Sequence, residues 1–547
     1  MKGSTAYRSI QQRGLHIGLL PETAAAVNPS TPITLDHDLD VLPEAGRRLT
    51  VSQYAGHVED LAARLWAGGV RPGEHVVIYK RANADHWMLA CAVSRIGAVV
   101  VNLSPALDAA TVGVLLGRLG RPTLLTDGPT LDRLAGVELA GLTRRVVTSA
   151  GDRPGTVSLT ALAGAPRVRP VLRGLDEAAV ITHTSGTTGI PKLVVHTPRT
   201  QAVRLVPQWR LLALMRRRET VAIHVPFVHS RMVAAMSLAL LKQYPVLLLR
   251  ESDPAVVAEH LLAHRPAFVE ALPNSLMEWE QLTRDPRMPF ASVKVFSSTF
   301  DAIHPSTMSR LLKSSARRGA LFFQIYGQSE VGPAVGRAYL RPFAHKANGR
   351  CVGWPMPRGA ARIRVVGQGG KRPSERHPGR IEVAWPGLAQ TYHGEQERYD
   401  SNRRGEWWGT GDVGYVTRLG CLHLLDREVD MIPGVRSSLQ IEDVVLGALE
   451  ELSELVVVQG PAGEAVPVVC THDDTPLDAE RWRTAAAAFP QLADPVQIPQ
   501  AELPRTATLK VQRLELARRF TRPPGQSPAH RPGPAGPAPR PTDDPKG

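Results

Sequence analysis

Cysteine is scarce in this chain. Only 4 of its 547 residues are cysteines, namely Cys91, Cys351, Cys421 and Cys470. They lie far apart in the sequence and form neither a CxxC pair nor a Cys/His spacing typical of zinc ligands, which argues against a structural metal site and a disulfide-stapled secreted fold. We therefore expect a reduced, cytoplasmic protein.

Long apolar runs are lacking as well. No stretch of about eighteen consecutive uncharged apolar residues occurs, so the sequence predicts no transmembrane helix. The first residues, MKGSTAYRSIQQRG, contain no continuous apolar segment of the kind found in secretory signals. We expect neither a membrane span nor export.

Acidic residues are outnumbered by basic ones. The chain has 65 Lys and Arg against 51 Asp and Glu, a formal net charge of +14. The arginines are spread along the whole chain instead of forming one block, which favours small anionic substrates over a nucleic-acid surface. We expect no nucleic-acid partner.

The length and the hydrophobic pattern indicate two domains. Strand-like and helix-like segments such as HVVIY, HWMLACAVSRIG and AVVVNL alternate in the rhythm of βαβ units, whereas short strands broken by glycine and proline follow after residue 352. We predict an α/β fold in which residues 1–429 form a large N-terminal domain of mixed, largely parallel sheets with helices and a β-rich subdomain. Residues 430–520 should form a small, mobile α+β C-terminal domain, and residues 521–547 a proline-rich disordered tail.

The segment THTSGTTGIPKLVV, residues 182–195, has the composition of a phosphate-binding loop. Its glycines allow close approach of the backbone to an anion, its hydroxyls are donors, and its lysine is a mobile cation. A surface turn of the same composition is the alternative. The candidate phosphate-binding residues are Thr184, Ser185, Gly186, Thr187, Thr188, Gly189 and Lys192.

Further motifs follow in a fixed order: YGQSE at 326–330, WGTGD at 408–412, LLDREVD around Arg427 and LPRTATLK ending at Lys510. Together with the loop they resemble the signatures of the AMP-forming adenylating enzymes, which include acyl-CoA synthetases, peptide-synthetase adenylation domains and luciferases. The resemblance covers roughly residues 45–515 and is closest in pattern to acyl- or aryl-CoA synthetases.

This resemblance implies ATP and Mg²⁺ as cofactors. It implies that Tyr326, with Gly327 and Gln328 beside it, stacks on adenine, that Ser329 holds the α-phosphate, and that Glu330 is the metal ligand, a role that suits a carboxylate. Asp412 and Arg427 would bind the ribose, since an ionised carboxylate accepts two O–H donors.

Two residues are candidates for catalysis. Lys510 resembles the family's C-terminal lysine, whose ammonium bridges the attacking oxygen and the α-phosphate. His229, in VPFVHS, resembles the histidine that lines the acyl site near the carboxylate. Their alternatives are a solvated surface cation and a core histidine.

The chain departs from the family pattern at the substrate pocket. Ser298, Thr299 and Phe300 replace a run with two glycines, which predicts a narrow pocket and a compact, aromatic acid. Glu270 is a lone charge in the strand AFVEALP and should pair either with a substrate amine or with a nearby arginine.

The interdomain hinge also departs from the pattern. Just before the hinge, Asp426 replaces a family glycine, and the hinge segment 432–436 is shortened and stiffened by Pro433. Outside the hinge, Leu509 replaces the glycine that usually precedes the catalytic lysine, which bears on the flexibility of that loop. The hinge changes leave adenylation intact but place the second half-reaction in question.

We expect an ATP-dependent, AMP-forming ligase that adenylates a small carboxylic acid, releases pyrophosphate and passes the acyl group to coenzyme A or a carrier-protein thiol. Three alternatives stay open: activation of another oxyanion such as nitrite for transfer to an aryl amine, as in diazotase-like enzymes; amide formation; and a non-catalytic nucleotide-binding protein.

Overall fold

The fold is described from a computed structural model. It describes residues 12–184, 189–212, 215, 219–299, 303–346, 350–356, 360–367, 371–506 and 510–521. The predicted site residues Ser185, Gly186, Thr187, Thr188 and Phe300 lie outside these ranges, as does the predicted tail except for Thr521.

The strands are, in chain order, β1 (Pro32–Leu35), β2 (Arg48–Thr50), β3 (His75–Ile78), β4 (Val99–Asn102), β5 (Thr123–Thr126), β6 (Arg145–Thr148), β7 (Val157–Ser158), β8 (Val180–His183), β9 (Leu193–His196), β10 (Val221–His224), β11 (Val246–Leu248), β12 (Phe268–Ala271), β13 (Val295–Ser298), β14 (Leu321–Tyr326), β15 (Val335–Leu340), β16 (Cys351–Pro355), β17 (Arg362–Val366), β18 (Gly379–Ala384), β19 (Thr391–Tyr392), β20 (Arg403–Arg404), β21 (Trp407–Val416), β22 (Leu422–Arg427), β23 (Leu452–Gln459), β24 (Ala465–Thr471) and β25 (Val496–Gln497).

The α-helices are α1 (Leu20–Val27), α2 (Val51–Ala67), α3 (Asp85–Arg95), α4 (Ala109–Arg118), α5 (Gly128–Arg133), α6 (Leu139–Leu142), α7 (Pro198–Leu211), α8 (Ser230–Lys242), α9 (Pro254–His264), α10 (Pro273–Glu278), α11 (Pro305–Ser314), α12 (Gln396–Asp400), α13 (Ser438–Ala448), α14 (Ala479–Ala486) and α15 (Arg513–Thr521). Within the described ranges, no helix combines the length and the apolar character needed to cross a bilayer.

One sheet has the order β19-β9-β8-β4-β3-β5-β6-β7. Its strands from β8 to β7 pair in parallel, which confirms the βαβ rhythm predicted from the sequence. Helix α3 is buried along its whole length beside this sheet. Strand β9 pairs antiparallel with β8, β19 forms the edge beyond it, and the predicted phosphate loop joins β8 to β9.

A second, larger sheet runs β17-β18-β21-β22-β16-β15-β14-β13-β12-β10-β11-β1-β2. The segment from β11 to β14 is parallel, and its apolar strands are buried. From β14 onward the pairing is antiparallel, which is the β-rich region predicted after residue 352. The carboxyl ends of β12, β13 and β14 therefore lie side by side, and polar side chains gather there.

The C-terminal part is a smaller α+β unit, as predicted. Strands β23, β24 and β25 form a three-stranded sheet, packed by α13, α14 and α15. Ser437 caps α13 and also donates from its hydroxyl to the carbonyl of Leu425 on β22, so the start of α13 is tied to the larger sheet.

The prediction of four reduced cysteines is wrong for one pair. Cys351 and Cys421 form a disulfide although 70 positions separate them. The antiparallel pairing of β16 with β22 brings them together, and this long-range pairing leaves no trace in the cysteine spacing. Cys91 and Cys470 are free and buried.

Candidate active site

Most of the predicted site residues line one cavity of about 560 Å³. It lies where the phosphate loop, the end of β14, strands β21 and β22, and the C-terminal unit meet. The predicted residues on its wall are Thr184, Lys192, His229, Thr299, Tyr326, Gly327, Gln328, Ser329, Glu330, Asp412, Arg427 and Lys510.

The two ends of the phosphate loop are joined by backbone contacts. Thr184 donates its N–H to the carbonyl of Lys192 at 3.0 Å, and its hydroxyl accepts the N–H of Lys192 at 3.2 Å. Gly189 has φ +131°, a conformation that side-chain-bearing residues rarely adopt. This clamp fixes the base of the loop and directs Lys192 into the cavity.

Lys192, Glu330 and Tyr392 form a compact polar cluster. The Lys192 ammonium lies 3.3 Å from Glu330 Oε1 and 3.0 Å from the Tyr392 hydroxyl, which itself donates to Glu330 Oε1 at 2.5 Å. Burial, followed by the negative charge of Glu330, raises the pKa of Tyr392, so the phenol keeps its proton. A carboxylate held among donors beside a phosphate loop has the hard oxygen ligands that fit Mg²⁺.

Arg204, on α7, binds the main chain of the YGQSE loop. Its guanidinium donates to the carbonyls of Ser329 at 3.0 Å, Glu330 at 2.8 Å and Gly387 at 2.7 Å. Burial lowers the pKa of Arg204 to about 10, yet leaves it charged at neutral pH. Three charge-assisted bonds to main-chain oxygens fix the position of the loop that carries Glu330.

Asp412 lies among donors at the other end of the cavity. Its Oδ2 accepts from the Tyr326 hydroxyl at 2.5 Å and from Gln328 Nε2 at 3.1 Å. Arg427 is its cross-strand neighbour, with Nε 3.8 Å from Oδ1. Burial raises the pKa of Asp412, while these donors favour the carboxylate. The arrangement can accept the two hydroxyls of a ribose.

His229 and Lys510 approach the same region from different parts of the chain. His229 caps α8, and its Nδ1 accepts the N–H of Arg231 at 3.0 Å. Burial, followed by nearby positive charges that include Lys510, lowers the pKa of His229 to about 3, so the ring is neutral and carries its proton on Nε2. Lys510 lines the same cavity, and its positive charge also favours the ionised form of Asp412.

Glu270 pairs with an arginine in this structure, which is one of the two alternatives that the sequence left open. Arg231 contacts both carboxylate oxygens, with Nη2 2.6 Å from Oε2, and its Nη1 donates to Gln208. The Glu270 side chain is 1% exposed and that of Arg231 10%, so the pair is buried.

Several neutral polar groups near this ion pair have no hydrogen-bond partner among the described residues. They lie at the carboxyl ends of β13 and β14 and are buried: Ser297 Oγ, Ser298 Oγ, Thr299 Oγ1 and Gln324 Oε1. Buried polar groups are normally satisfied, and those left open in a cavity indicate a polar ligand. Of these groups, Thr299 and Gln324 line the main cavity and make its wall polar, and Ser298 does not line it.

Sequence reasoning missed Tyr392, Arg204, Gln208 and Arg231. Tyr392 lies in TYHG and Arg204 in a long amphipathic helix, where neither the motif nor the spacing indicates a functional role. Arg231 had a usable signal, because it follows His229 by two positions at the start of a helix that borders the pocket.

Comparison with known proteins agrees with this geometry. The family described as AMP-binding enzyme matches residues 21–393. The chain is 44% identical to the 3-amino-2-hydroxy-4-methoxybenzoate diazotase of Streptomyces cremeus over 534 residues, which cover 93% of this chain and 96% of the relative. It is 26% identical to a 3-aminoavenalumate diazotase of a Streptomyces species over 515 residues, 86% of this chain and 89% of the relative.

Among solved structures, the anthranilate CoA ligase AuaEII in complex with anthranoyl-AMP matches with a TM-score of 0.79. At 16% identity, over 93% of this chain and 98% of that one, the likeness shows a shared fold. With a family match over more than half of its length and a near-full-length relative at 44% identity, the chain belongs to the AMP-binding enzyme family and is an adenylate-forming enzyme.

Proposed function

We propose that this enzyme adenylates nitrite with ATP and transfers the nitrosyl group to the amine of an aminoaryl acid, which gives a diazonium product. The observation that carries the proposal is the 44% identity to a diazotase over 534 residues. From the sequence alone we ranked transfer to coenzyme A first and nitrite activation second, and this similarity reverses the order.

In the first step, one oxygen of nitrite attacks the α-phosphorus of ATP, the bond from that phosphorus to the bridging oxygen breaks, and pyrophosphate leaves. The product is a mixed anhydride of nitrous acid and AMP. Two anions must meet, so an ammonium between them offsets repulsion, a role we assign to Lys510. His229, whose neutral ring lines the same cavity, is the second residue we assign to this step.

In the second step, the amine lone pair attacks the nitrosyl nitrogen, the N–O bond breaks, and AMP departs with the oxygen that bridged nitrogen and phosphorus. The amine loses one proton and becomes an N-nitrosamine. Its diazohydroxide tautomer takes up a proton and loses water to give the diazonium ion. The nitrite nitrogen is reduced and the amine nitrogen is oxidised to the same extent as the N–N bond forms, so the electrons balance between the two substrates and no further oxidant or reductant is required.

The nucleotide roles follow from the resemblance and fit the contacts. We assign the β- and γ-phosphates to Thr184 and Lys192, with the neighbouring loop residues outside the described ranges, and the ribose to Asp412 and Arg427. Glu330 would hold Mg²⁺, which neutralises charge on the departing pyrophosphate. The adenine would stack on Tyr326.

The pocket supports a polar substrate. A hydrocarbon acyl chain would leave the hydroxyl of Thr299, on the cavity wall, buried without a partner, at a cost of roughly 1–3 kcal/mol. Nitrite offers acceptors to this hydroxyl, and an aminoaryl acid offers acceptors in its carboxylate and donors in its amine. This chemistry favours nitrite transfer over long-chain thioester formation.

Pyrophosphate exchange into ATP tests the proposal. With the purified enzyme, ATP and Mg²⁺, exchange should depend on nitrite and proceed without any aryl acid. Addition of 3-aminobenzoate should then give AMP together with a diazonium ion that is trapped as an azo dye by a naphthol. Exchange that requires an aryl acid and is indifferent to nitrite, followed by a thioester with coenzyme A, would refute it.

A further inference from the structure

The buried pair of Arg231 and Glu270 lies next to the adenylation site. A side cavity of about 20 Å³ is lined by Gln208, Arg231, Glu270 and Ser297, and it shares Gln208 and Arg231 with the main cavity. Arg231 therefore borders the main cavity, and Glu270 lies behind it in the side cavity.

Arg231 keeps hydrogen-bonding capacity for a ligand. Of its five N–H groups, two donate to Glu270 and one to Gln208 within the described part of the chain. The two others suit the planar, paired oxygens of a carboxylate. On the wall of the main cavity, which Arg231 also lines, the buried groups Thr299 Oγ1 and Gln324 Oε1 have no partner among the described residues, which is an independent sign of a polar ligand there.

An aryl carboxylate that is not adenylated needs a binding site of its own in the cavity. If nitrite occupies the place next to the α-phosphate, the aryl carboxylate must be buried elsewhere in the cavity, and a buried carboxylate needs a cation. Arg231 is a cation on the wall of this cavity to which no nucleotide role is assigned, and its bond to Glu270 holds the guanidinium plane in one orientation.

We propose that Arg231 binds the carboxylate of the aminoaryl acid, with Glu270 and Gln208 fixing its orientation, so that this carboxylate is recognised and never adenylated. The inference rests on the proposed function. Anchoring the carboxylate at Arg231 leaves the amine, on another ring position, directed toward the nitrosyl nitrogen. Arg231 thus selects aminoaryl acids over uncharged arylamines.

The test compares 3-aminobenzoate with aniline as acceptors for wild-type enzyme, Arg231→Gln and the double variant Arg231→Gln/Glu270→Gln, which removes both buried charges together. Arg310→Gln is the matched control. Arg310 lies on α11 and pairs with Glu280 and Glu450. Arg231→Gln should raise the KM for 3-aminobenzoate roughly 10- to 100-fold and change that for aniline less than about threefold. The double variant should show the same loss of discrimination.

Equal losses for the acid and for aniline in both variants would overturn the proposal. A raised KM for nitrite in the exchange assay, with discrimination between acceptors retained, would also overturn it by placing nitrite at Arg231.

A failure of nitrite activation itself is recognised separately, because wild-type enzyme would then show no nitrite-dependent exchange. Calorimetric binding of 3-aminobenzoate to the same variants tests Arg231 in that case too. Weaker binding to Arg231→Gln than to Arg310→Gln supports the assignment, whereas equal or undetectable binding to wild type and variant overturns it.

Discussion

The hydroxyl of Tyr392 donates to Glu330 Oε1 at 2.5 Å. These residues are 62 positions apart, and the contact links strand β19 of one sheet to the loop after β14 of the other. Lys192 reaches both groups, so the three side chains fix one carboxylate at the mouth of the phosphate loop. The proposed metal ligand is therefore oriented before nucleotide arrives.

Tyr392→Phe removes this donor and leaves the ring in place. We expect the Mg²⁺ concentration for half-maximal exchange to rise about tenfold, because a hydrogen bond to a charged group contributes about 1.5 kcal/mol at the lower end of its range. A Mg²⁺ titration of pyrophosphate exchange measures it. Tyr399→Phe, whose hydroxyl donates to the carbonyl of Ala389, is the control and should leave that midpoint unchanged.

Arg204→Gln should destabilise the protein and impair ATP binding together. The substitution deletes three charge-assisted bonds and leaves buried carbonyls of Ser329, Glu330 and Gly387 without their donor, for an expected loss of roughly 2–4 kcal/mol. Denaturant unfolding with and without ATP measures both effects. Unchanged stability with intact ATP binding would contradict the holding role of Arg204.

Lys510→Ala should slow adenylation far more than it weakens nucleotide binding. Loss of the ammonium between two anions should cost about 3–4 kcal/mol of transition-state stabilisation, or a 10²- to 10³-fold lower rate. Single-turnover release of pyrophosphate and equilibrium binding of ATP separate the two quantities. The exposed Lys313→Ala is the control. Equal losses of rate and affinity would remove the catalytic assignment.

Asp426 should make stability depend on pH. Its carboxylate accepts the N–H of Ser438 at the start of α13, and burial raises its pKa from 3.8 to about 7. Between these values the folded state binds more protons than the unfolded state, so the contribution of Asp426 to stability falls as pH rises from about 4 to 7.

Asp426→Asn abolishes this titration. The stability of the variant relative to wild type should therefore increase between pH 5 and pH 8, by roughly 3 kcal/mol in all. Unfolding midpoints at each pH measure the difference. Asp132→Asn, which alters an exposed carboxylate paired with Arg153, should show no such trend. A constant difference between Asp426→Asn and wild type would contradict the prediction.

The motifs identified residues that the structure brings together around one cavity, because their chemistry is local. YGQSE, GTGD and the phosphate loop each place several functional groups on one turn, and the cavity gathers their described members. The βαβ rhythm and the C-terminal α+β section were also predictable, since hydrophobic periodicity reports which faces are buried.

Contacts between distant segments were not predictable. Tyr392 contacts Glu330, and Cys351 contacts Cys421, because particular strands pair. The local sequence does not determine the order of strands in a sheet. Glu270 was recognised as an anomalous buried charge, but its partner Arg231 belongs to a helix 39 positions away. The sequence was therefore least informative about which group, a thiol or an aryl amine, accepts the activated substrate.

Oxygen transfer from labelled nitrite to AMP tests nitrite adenylation most directly. The enzyme is incubated at neutral pH with ATP, Mg²⁺, 3-aminobenzoate and nitrite labelled with ¹⁸O, and the AMP formed is analysed by mass spectrometry. Attack by a nitrite oxygen on the α-phosphorus predicts one ¹⁸O atom in each AMP phosphate. Unlabelled AMP from labelled nitrite, with ¹⁸O delivered instead from a labelled aryl carboxylate, would contradict it and establish that the acid is the group activated.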